Sequence, residues 1–257
     1  MDSVSAFFLG AIQGLTEFLP VSSSGHLVIG QKLFGIEFHD IFFDVVLHLG
    51  TLLAVLIVYR KVIIDIVKEV FEAVIQRKNT TGLLLLFYMF LASIPTGLIG
   101  LGFKEQFEAM FQNIQAVAAC LAFTGAVLLL QKFLRKEQKQ EALSEIRLSP
   151  SLLKSFSWKI AILIGVAQSL AIAPGVSRSG MTISMGLILG LGGAEAALFS
   201  FLIAIPAILG ASLLQIKDLG DQVIHWQSIS IGFLSALVFG YLAVSYTHLT
   251  LPTTDRV

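Results

Sequence analysis

The chain has 257 residues, of which 56% are hydrophobic and only 13% charged, with acidic and basic residues balanced at 17 each. Soluble domains carry about 25% charged residues, so this composition excludes a soluble globular fold and indicates an integral membrane protein of one compact bundle. Zero net charge leaves no basic footprint for nucleic acid, and none is expected as a partner.

The first apolar segment, 4–19, has no Lys or Arg before it and no small-residue cleavage site, so it is not read as a secretory signal. A membrane span needs about 20 apolar residues. Segments 82–103 and 114–131 qualify without a charge, and 42–59 qualifies with Asp44 and His48 near its start. Further hydrophobic segments are 160–173, 181–191, 196–216 and 228–244. Several are too short or too interrupted by Gly and Pro for a clean crossing. Such segments predict broken or re-entrant helices, tolerated where they are buried in protein or line a cavity. Basic residues cluster after Tyr59 (Arg60, Lys61, Lys68, Arg77, Lys78) and again in 132–159, whereas 104–113 holds one Lys and two Glu. The positive-inside rule makes both basic stretches cytoplasmic. It sends the start of 42–59 and the end of 160–173 to the outer side.

Two polar stretches interrupt this apolar chain. Residues 13–26 read QGLTEFLPVSSSGH and residues 174–182 read PGVSRSGMT. Polar and ionisable groups at membrane depth are costly, so their default reading is a functional site. The stretches are also related. Val21-Ser-Ser-Ser-Gly25 matches Val176-Ser-Arg-Ser-Gly180 155 positions later; Gly14 and Glu17 echo Gly165 and Gln168; FLASIP at 90–95 echoes FLIAIP at 201–206. Three matches in one order predict a duplicated fold, with repeat 1 over about 1–103 and repeat 2 over about 160–244. Duplicated membrane folds place their sites where the repeats meet.

The residue types point to phosphate chemistry. Arg178 lies between Ser177 and Ser179, with Gly175 and Gly180 permitting close backbone approach. A guanidinium fork suits phosphate oxygens, and hydroxyls and turn amides add donors. A helix starting after Gly180 would add its N-terminus, with Thr182 in its first turn. Glu17 sits four residues after Gln13 on one helical face, a donor pair for a divalent cation, Mg²⁺ or Ca²⁺. His26 follows Ser22, Ser23, Ser24 and Gly25 and is placed to act as base for a serine hydroxyl. Asp44 and His48 are spaced as a hydrogen-bonded i, i+4 pair, read as structural or supporting. His39 and Asp40 are interfacial. Cys120, the single cysteine, is a packing residue, and the aromatic residues are core and lipid-facing surface. No Walker loop, dinucleotide fingerprint or CxxC pair is present.

On these two stretches, supported by FSFLIAIP at 199–206, the sequence resembles the undecaprenyl-diphosphate phosphatase family, also called the bacitracin-resistance protein family. The likeness runs from about residue 1 to Ala243. It implies hydrolysis of undecaprenyl diphosphate to undecaprenyl phosphate and inorganic phosphate, which recycles the lipid carrier of peptidoglycan synthesis and confers bacitracin resistance. It implies an all-α membrane bundle with inverted repeats and two re-entrant helix pairs. The bundle would lie in the bacterial cytoplasmic membrane with its site on the outer side. It puts the site on Glu17, Ser22, Ser23, His26 and Arg178, with Gln13 beside them; the family has Glu or Gln at that last position. The expected partners are a polyprenyl diphosphate and the bilayer, with a homodimer as the candidate assembly.

On this reading Arg178 and the loop groups Ser22, Ser24, Gly25, Gly175, Ser177, Ser179 and Thr182 bind the diphosphate. A cation on Glu17 and Gln13 offsets charge, Ser23 attacks, and His26 takes its proton. Attack by metal-bound water is the rival route. A transporter or flippase of a phosphorylated lipid is the alternative function, because inverted repeats and a polar centre also describe carriers. The stretch after Ala243, VSYTHLTLPTTDRV, departs from the family, which continues into a basic linker and another membrane helix. Residues 245–257 are expected to be a truncated or non-native tail.

Overall fold

The computed structural model describes residues 1–36, 41–134, 153, 155–216 and 225–250. His39, Asp40 and most of the basic stretch 132–159 fall outside them. The described residues form eleven helices and no strand. In chain order these are α1 (Ser3–Thr16), α2 (Ser23–Leu33), α3 (Ile41–Val58), α4 (Arg60–Gln76), α5 (Thr81–Gly102), α6 (Lys104–Phe111), α7 (Ile114–Leu134), α8 (Trp158–Leu170), α9 (Arg178–Ile188), α10 (Gly193–Ile216) and α11 (Trp226–Thr250).

Four described helices are long and apolar enough to cross a bilayer: α5, α7, α10 and α11, the last over Trp226–Tyr246. The chain is therefore a multi-pass membrane protein. The expected span at 42–59 forms α3, which breaks at Tyr59 and turns by 75° into α4. α4 is amphipathic, with Val62, Ile66 and Ala73 buried and Lys61, Lys68 and Glu72 on a charged flank. α1, α2, α8 and α9 have 14, 11, 13 and 11 residues. At about 1.5 Å per residue none covers a hydrocarbon core of about 30 Å. They form two helix–turn–helix pairs, α1–α2 and α8–α9, whose shape is compatible with the expected re-entrant pairs.

Tight packing of small residues positions these pairs. α11 lies along α1 and α3. A Cβ added at Gly14 would sit 2.6 Å from Gly240 N, and one at Gly50 would sit 2.8 Å from Phe233 O. Ser228 and Ser235 of α11 donate to the Met1 and Phe7 carbonyls at 2.8 Å each. α5 plays the matching part for α8: Gly165 rests against the Ala92 backbone, and Gln168 Nε2 donates to Thr96 Oγ1 at 3.0 Å. Close backbone approach is how helices adhere where lipid removes the hydrophobic drive between them.

The expected duplication is compatible with these contacts for two of its three matches. Gly14 and Gly165 occupy like positions on α1 and α8, and Ser22 and Ser177 both cap the helices that follow. The third match falls on α5 and α10, which have different neighbours. α5 lies against α8, whereas α10 lies between α3 and α9. Like neighbours instead pair α5 with α11.

An aromatic core backs the polar loops. Phe18 meets Phe201 edge-on at 5.5 Å, Tyr59 lies 5.8 Å from Phe201, and Phe156 packs on Phe199 at 4.9 Å. Pro95 and Pro206 sit inside α5 and α10. Helix α11 carries on to Thr250, so the start of the expected tail continues a helix; 251–257 lie outside the described residues.

Gly165→Leu, which forces a side chain onto the Ala92 backbone, is expected to lower unfolding free energy by about 1–3 kcal/mol or more. Gly97→Ala, where a Cβ meets nothing within 4 Å, is expected to be neutral or slightly stabilising. Thermal melts of both variants in detergent check this.

Candidate active site

The site is built around one carboxylate. Glu17 ends α1 and is 6% exposed. Its Oε1 accepts from Arg178 Nη2 at 2.7 Å. Its Oε2 accepts from Ser23 Oγ at 2.5 Å and Gln13 Nε2 at 2.9 Å, and faces His48 Nε2 at 3.7 Å. A charge this deep needs an opposite charge and hydrogen-bond donors, and Glu17 has both.

Local chemistry explains how each group reaches it. Pro20 and the following serines break the chain after α1. Ser22 takes φ 67°, ψ 97°, a conformation that costs a non-glycine residue about 1–3 kcal/mol. From there Ser22 Oγ accepts the Gly25 N–H at 3.3 Å and caps α2, which puts Ser23 at the first helical position, pointing at Glu17. Ser177 caps α9 in the same way, accepting the Gly180 N–H at 3.0 Å. α9 therefore starts at Arg178, three residues before the expected start after Gly180. Ser23 and Arg178, matched in the repeat, are both first residues of a helix and both bond Glu17.

The two polar loops interlock. Ser179 Oγ donates to the Leu19 carbonyl at 2.8 Å, and the Gly175 N–H donates to Ser24 Oγ at 3.3 Å. Gly175 takes φ 96° against α7, where a Cβ would lie 2.5 Å from Val117 O and 2.8 Å from the Cys120 side chain. Thr124 of α7 ties this turn down, donating to Gly175 O and accepting from Ser177 N, both at 3.0 Å.

The expected site residues thus separate. Gln13, Glu17, Ser23 and Arg178 form one bonded cluster. Ser22 and Ser24 lie beside it, their hydroxyls 3.3 Å apart. Ser177, Ser179 and Thr182 are at most 1% exposed and their hydroxyls serve the turn. Thr182 donates to the Arg178 carbonyl at 2.8 Å and pairs with Ser200 Oγ at 2.6 Å. His26 was expected to face the serine hydroxyl, but Ser23 Oγ donates to Glu17 instead. His26 Nδ1 lies 2.8 Å from the Ser22 carbonyl, which can only accept, so Nδ1 donates and Nε2 is the nitrogen left for other partners. Asp44 and His48 do not pair through their side chains: Asp44 Oδ1 accepts from Gln31 Nε2 at 2.9 Å, and His48 Nδ1 donates to the Asp44 carbonyl at 2.7 Å.

Two contributors were missed, and His48 was read only as structural or supporting. His48 reaches Glu17; Thr51 Oγ1 lies 3.5 Å from Gln13 Nε2; the Ser200 carbonyl lies 3.5 Å from Arg178 Nη1. The spacing of Asp44, His48 and Thr51 on one helical face carried a signal for the first two. Ser200, a polar residue between two phenylalanines, carried one for the third.

The donor set fits a hard divalent cation. Glu17 supplies a carboxylate, and the buried amide oxygen of Gln13 has no hydrogen-bond partner. Among the described residues no three His, Cys, Asp or Glu side chains gather into a protein-only metal cage.

A polytopic helical membrane protein with a buried carboxylate, serine and arginine joined across two capped turns is the class that this fold and site define. Residues 6–253 match the family described as Bacitracin resistance protein BacA, and the chain belongs to that family. It is 41% identical over 251 residues to an undecaprenyl-diphosphatase of Carboxydothermus hydrogenoformans, covering 96% of this chain and 87% of the relative. It is 41% identical to the undecaprenyl-diphosphatase of Methanobrevibacter smithii (96% and 88% covered) and 42% identical to that of Desulfosudis oleivorans (95% and 88% covered).

Arg178→Met leaves Glu17 charged and buried without its partner, so stability should fall by about 3–5 kcal/mol. Adding Glu17→Leu should recover much of that loss. Denaturation of the single and double variants in detergent measures both.

Proposed function

We propose that this chain is an undecaprenyl-diphosphate phosphatase. It hydrolyses the lipid diphosphate to undecaprenyl phosphate and inorganic phosphate, recycles the carrier lipid of peptidoglycan synthesis and confers bacitracin resistance. The observation that carries the mechanism is the shared carboxylate: Ser23 Oγ and Arg178 Nη2 are both bonded to Glu17.

Arg178 keeps one donor on Glu17 and one toward the Ser200 carbonyl, and its other N–H groups bind the diphosphate. Ser23 Oγ bonds to the terminal phosphorus while the bridging P–O bond breaks and the lipid monophosphate leaves with that electron pair. The hydroxyl proton passes to Glu17 along the existing hydrogen bond. Phosphoryl transfer has a loose transition state, so the acceptor must be well placed more than strongly basic. A water then attacks the phosphoserine and gives its proton to His26 Nε2. The serine oxygen leaves and recovers its proton from Glu17, inorganic phosphate departs, and His26 gives up its proton to bulk water. A divalent cation, Mg²⁺ or Ca²⁺, would be held by Glu17 and Gln13 and would neutralise phosphate charge when bound.

The site opens on the outer side of the cytoplasmic membrane. His48 contacts it from the first half of α3 and Thr51 from just past the middle, whereas Arg60 and Lys61 follow the end of that helix. A homodimer is the proposed assembly.

Purified protein should release phosphate from a polyprenyl diphosphate, lose that activity to chelator and regain it with Mg²⁺ or Ca²⁺. Ser23→Ala should cost about 10³-fold or more, and His26→Ala should accumulate phosphate on Ser23, seen by mass spectrometry. Full activity in Ser23→Ala would eliminate the serine route in favour of direct water attack. No phosphate release under any condition would favour a transporter.

A further inference from the structure

We infer that His48 is a nitrogen ligand of the cation at Glu17, so that the site is built from Glu17, Gln13 and His48. This rests on the cation in the proposed function. Three observations carry it. His48 Nδ1 donates to the Asp44 carbonyl at 2.7 Å, which fixes the ring and turns Nε2 toward Glu17. Metal-bound histidines are oriented in this way, by a carbonyl on the far nitrogen.

Nε2 then faces Glu17 Oε2 across 3.7 Å, with the His48 side chain 30% exposed and the Glu17 side chain 4% exposed. That gap is too long for a hydrogen bond. It is short enough for one ion bonded to each atom at about 2.1 Å. A cation bound between the two atoms would take the place of a proton on Nε2. Gln13 is fully buried, its Nε2 lies 2.9 Å from the same Oε2, and its Oε1 has no partner. That orphaned oxygen is the independent mark of a missing ligand.

The set has one carboxylate, one neutral amide oxygen and one imidazole. Ca²⁺ and Mg²⁺ take oxygen ligands, while imidazole suits transition metals. His48 thus supplies a third donor where Gln13 brings no charge.

The test is pulsed electron paramagnetic resonance on the purified full chain in detergent, with Mn²⁺ alone as the probe. The native chain should show the nitrogen coupling of one imidazole at bound Mn²⁺. His48→Gln should abolish it and weaken Mn²⁺ binding at least about tenfold, while His26→Gln keeps it. The native spectrum decides without any variant: bound Mn²⁺ with no nitrogen coupling overturns the assignment. A coupling that survives His48→Gln also overturns it. If Mn²⁺ binding depends on Glu17 but lacks the nitrogen signal, the role of His48 fails and the phosphatase reading stands. If Mn²⁺ does not bind saturably and chelator leaves phosphate release unchanged, the cation leaves the reading together with the ligand.

Discussion

The Glu17–Arg178 ion pair joins residues 161 positions apart, both drawn from short helix pairs that cannot span a bilayer. A buried carboxylate with no compensation is among the costliest groups a protein can hold. Glu17 therefore demands that α9 bring Arg178 to it and that α2 bring Ser23. Satisfying that demand closes the two polar loops on each other, and the cross-loop bonds of Ser179 to Leu19 and Gly175 to Ser24 follow from the closure.

The two matched stretches both take part in this closure and differ at its centre. Each copy builds a capped turn, and the first helical residue after the cap points inward. In one copy that residue is Ser23 and in the other Arg178. The copies also differ where the preceding helix ends: Glu17 in α1 is matched by Gln168 in α8, whose Nε2 turns to Thr96. One acid, one arginine and one hydroxyl make a balanced centre. A second acid at Gln168 would add a negative charge with no second arginine from the repeat to balance it.

Precision comes from the apolar shell. Gly10 and Gly14 bring α1 against α11, and Gly165 brings α8 against α5, so the bases of both loops rest on backbone. Phe18, beside Glu17, and Phe199 and Phe201, on either side of Ser200, anchor the loops to one aromatic cluster. The same packing explains why hydroxyls expected at the phosphate are found inside the turn. Ser177, Ser179 and Thr182 spend their hydroxyls on the turn from which α9 starts at Arg178.

Composition and hydropathy settled the membrane class and most helices, because an apolar run of span length reads the same in sequence and in space. The polar residues Gln13, Glu17, Ser23, His26 and Arg178 were legible because their types are costly in lipid and their motifs are dense. What no local pattern carried was partnership. The sequence put His26 on Ser23, but the fold gave Ser23 to Glu17, since the strained Ser22 aims the first turn of α2 at the end of α1. Asp44 and His48 are bonded, as their spacing suggested, but through the Asp44 carbonyl, while α2 supplied Gln31 to the one side chain and α1 supplied Glu17 to the other. Spacing along a helix tells which side chains share a face. Only tertiary packing decides what that face meets, because contacts across tens of residues depend on how whole helices stack.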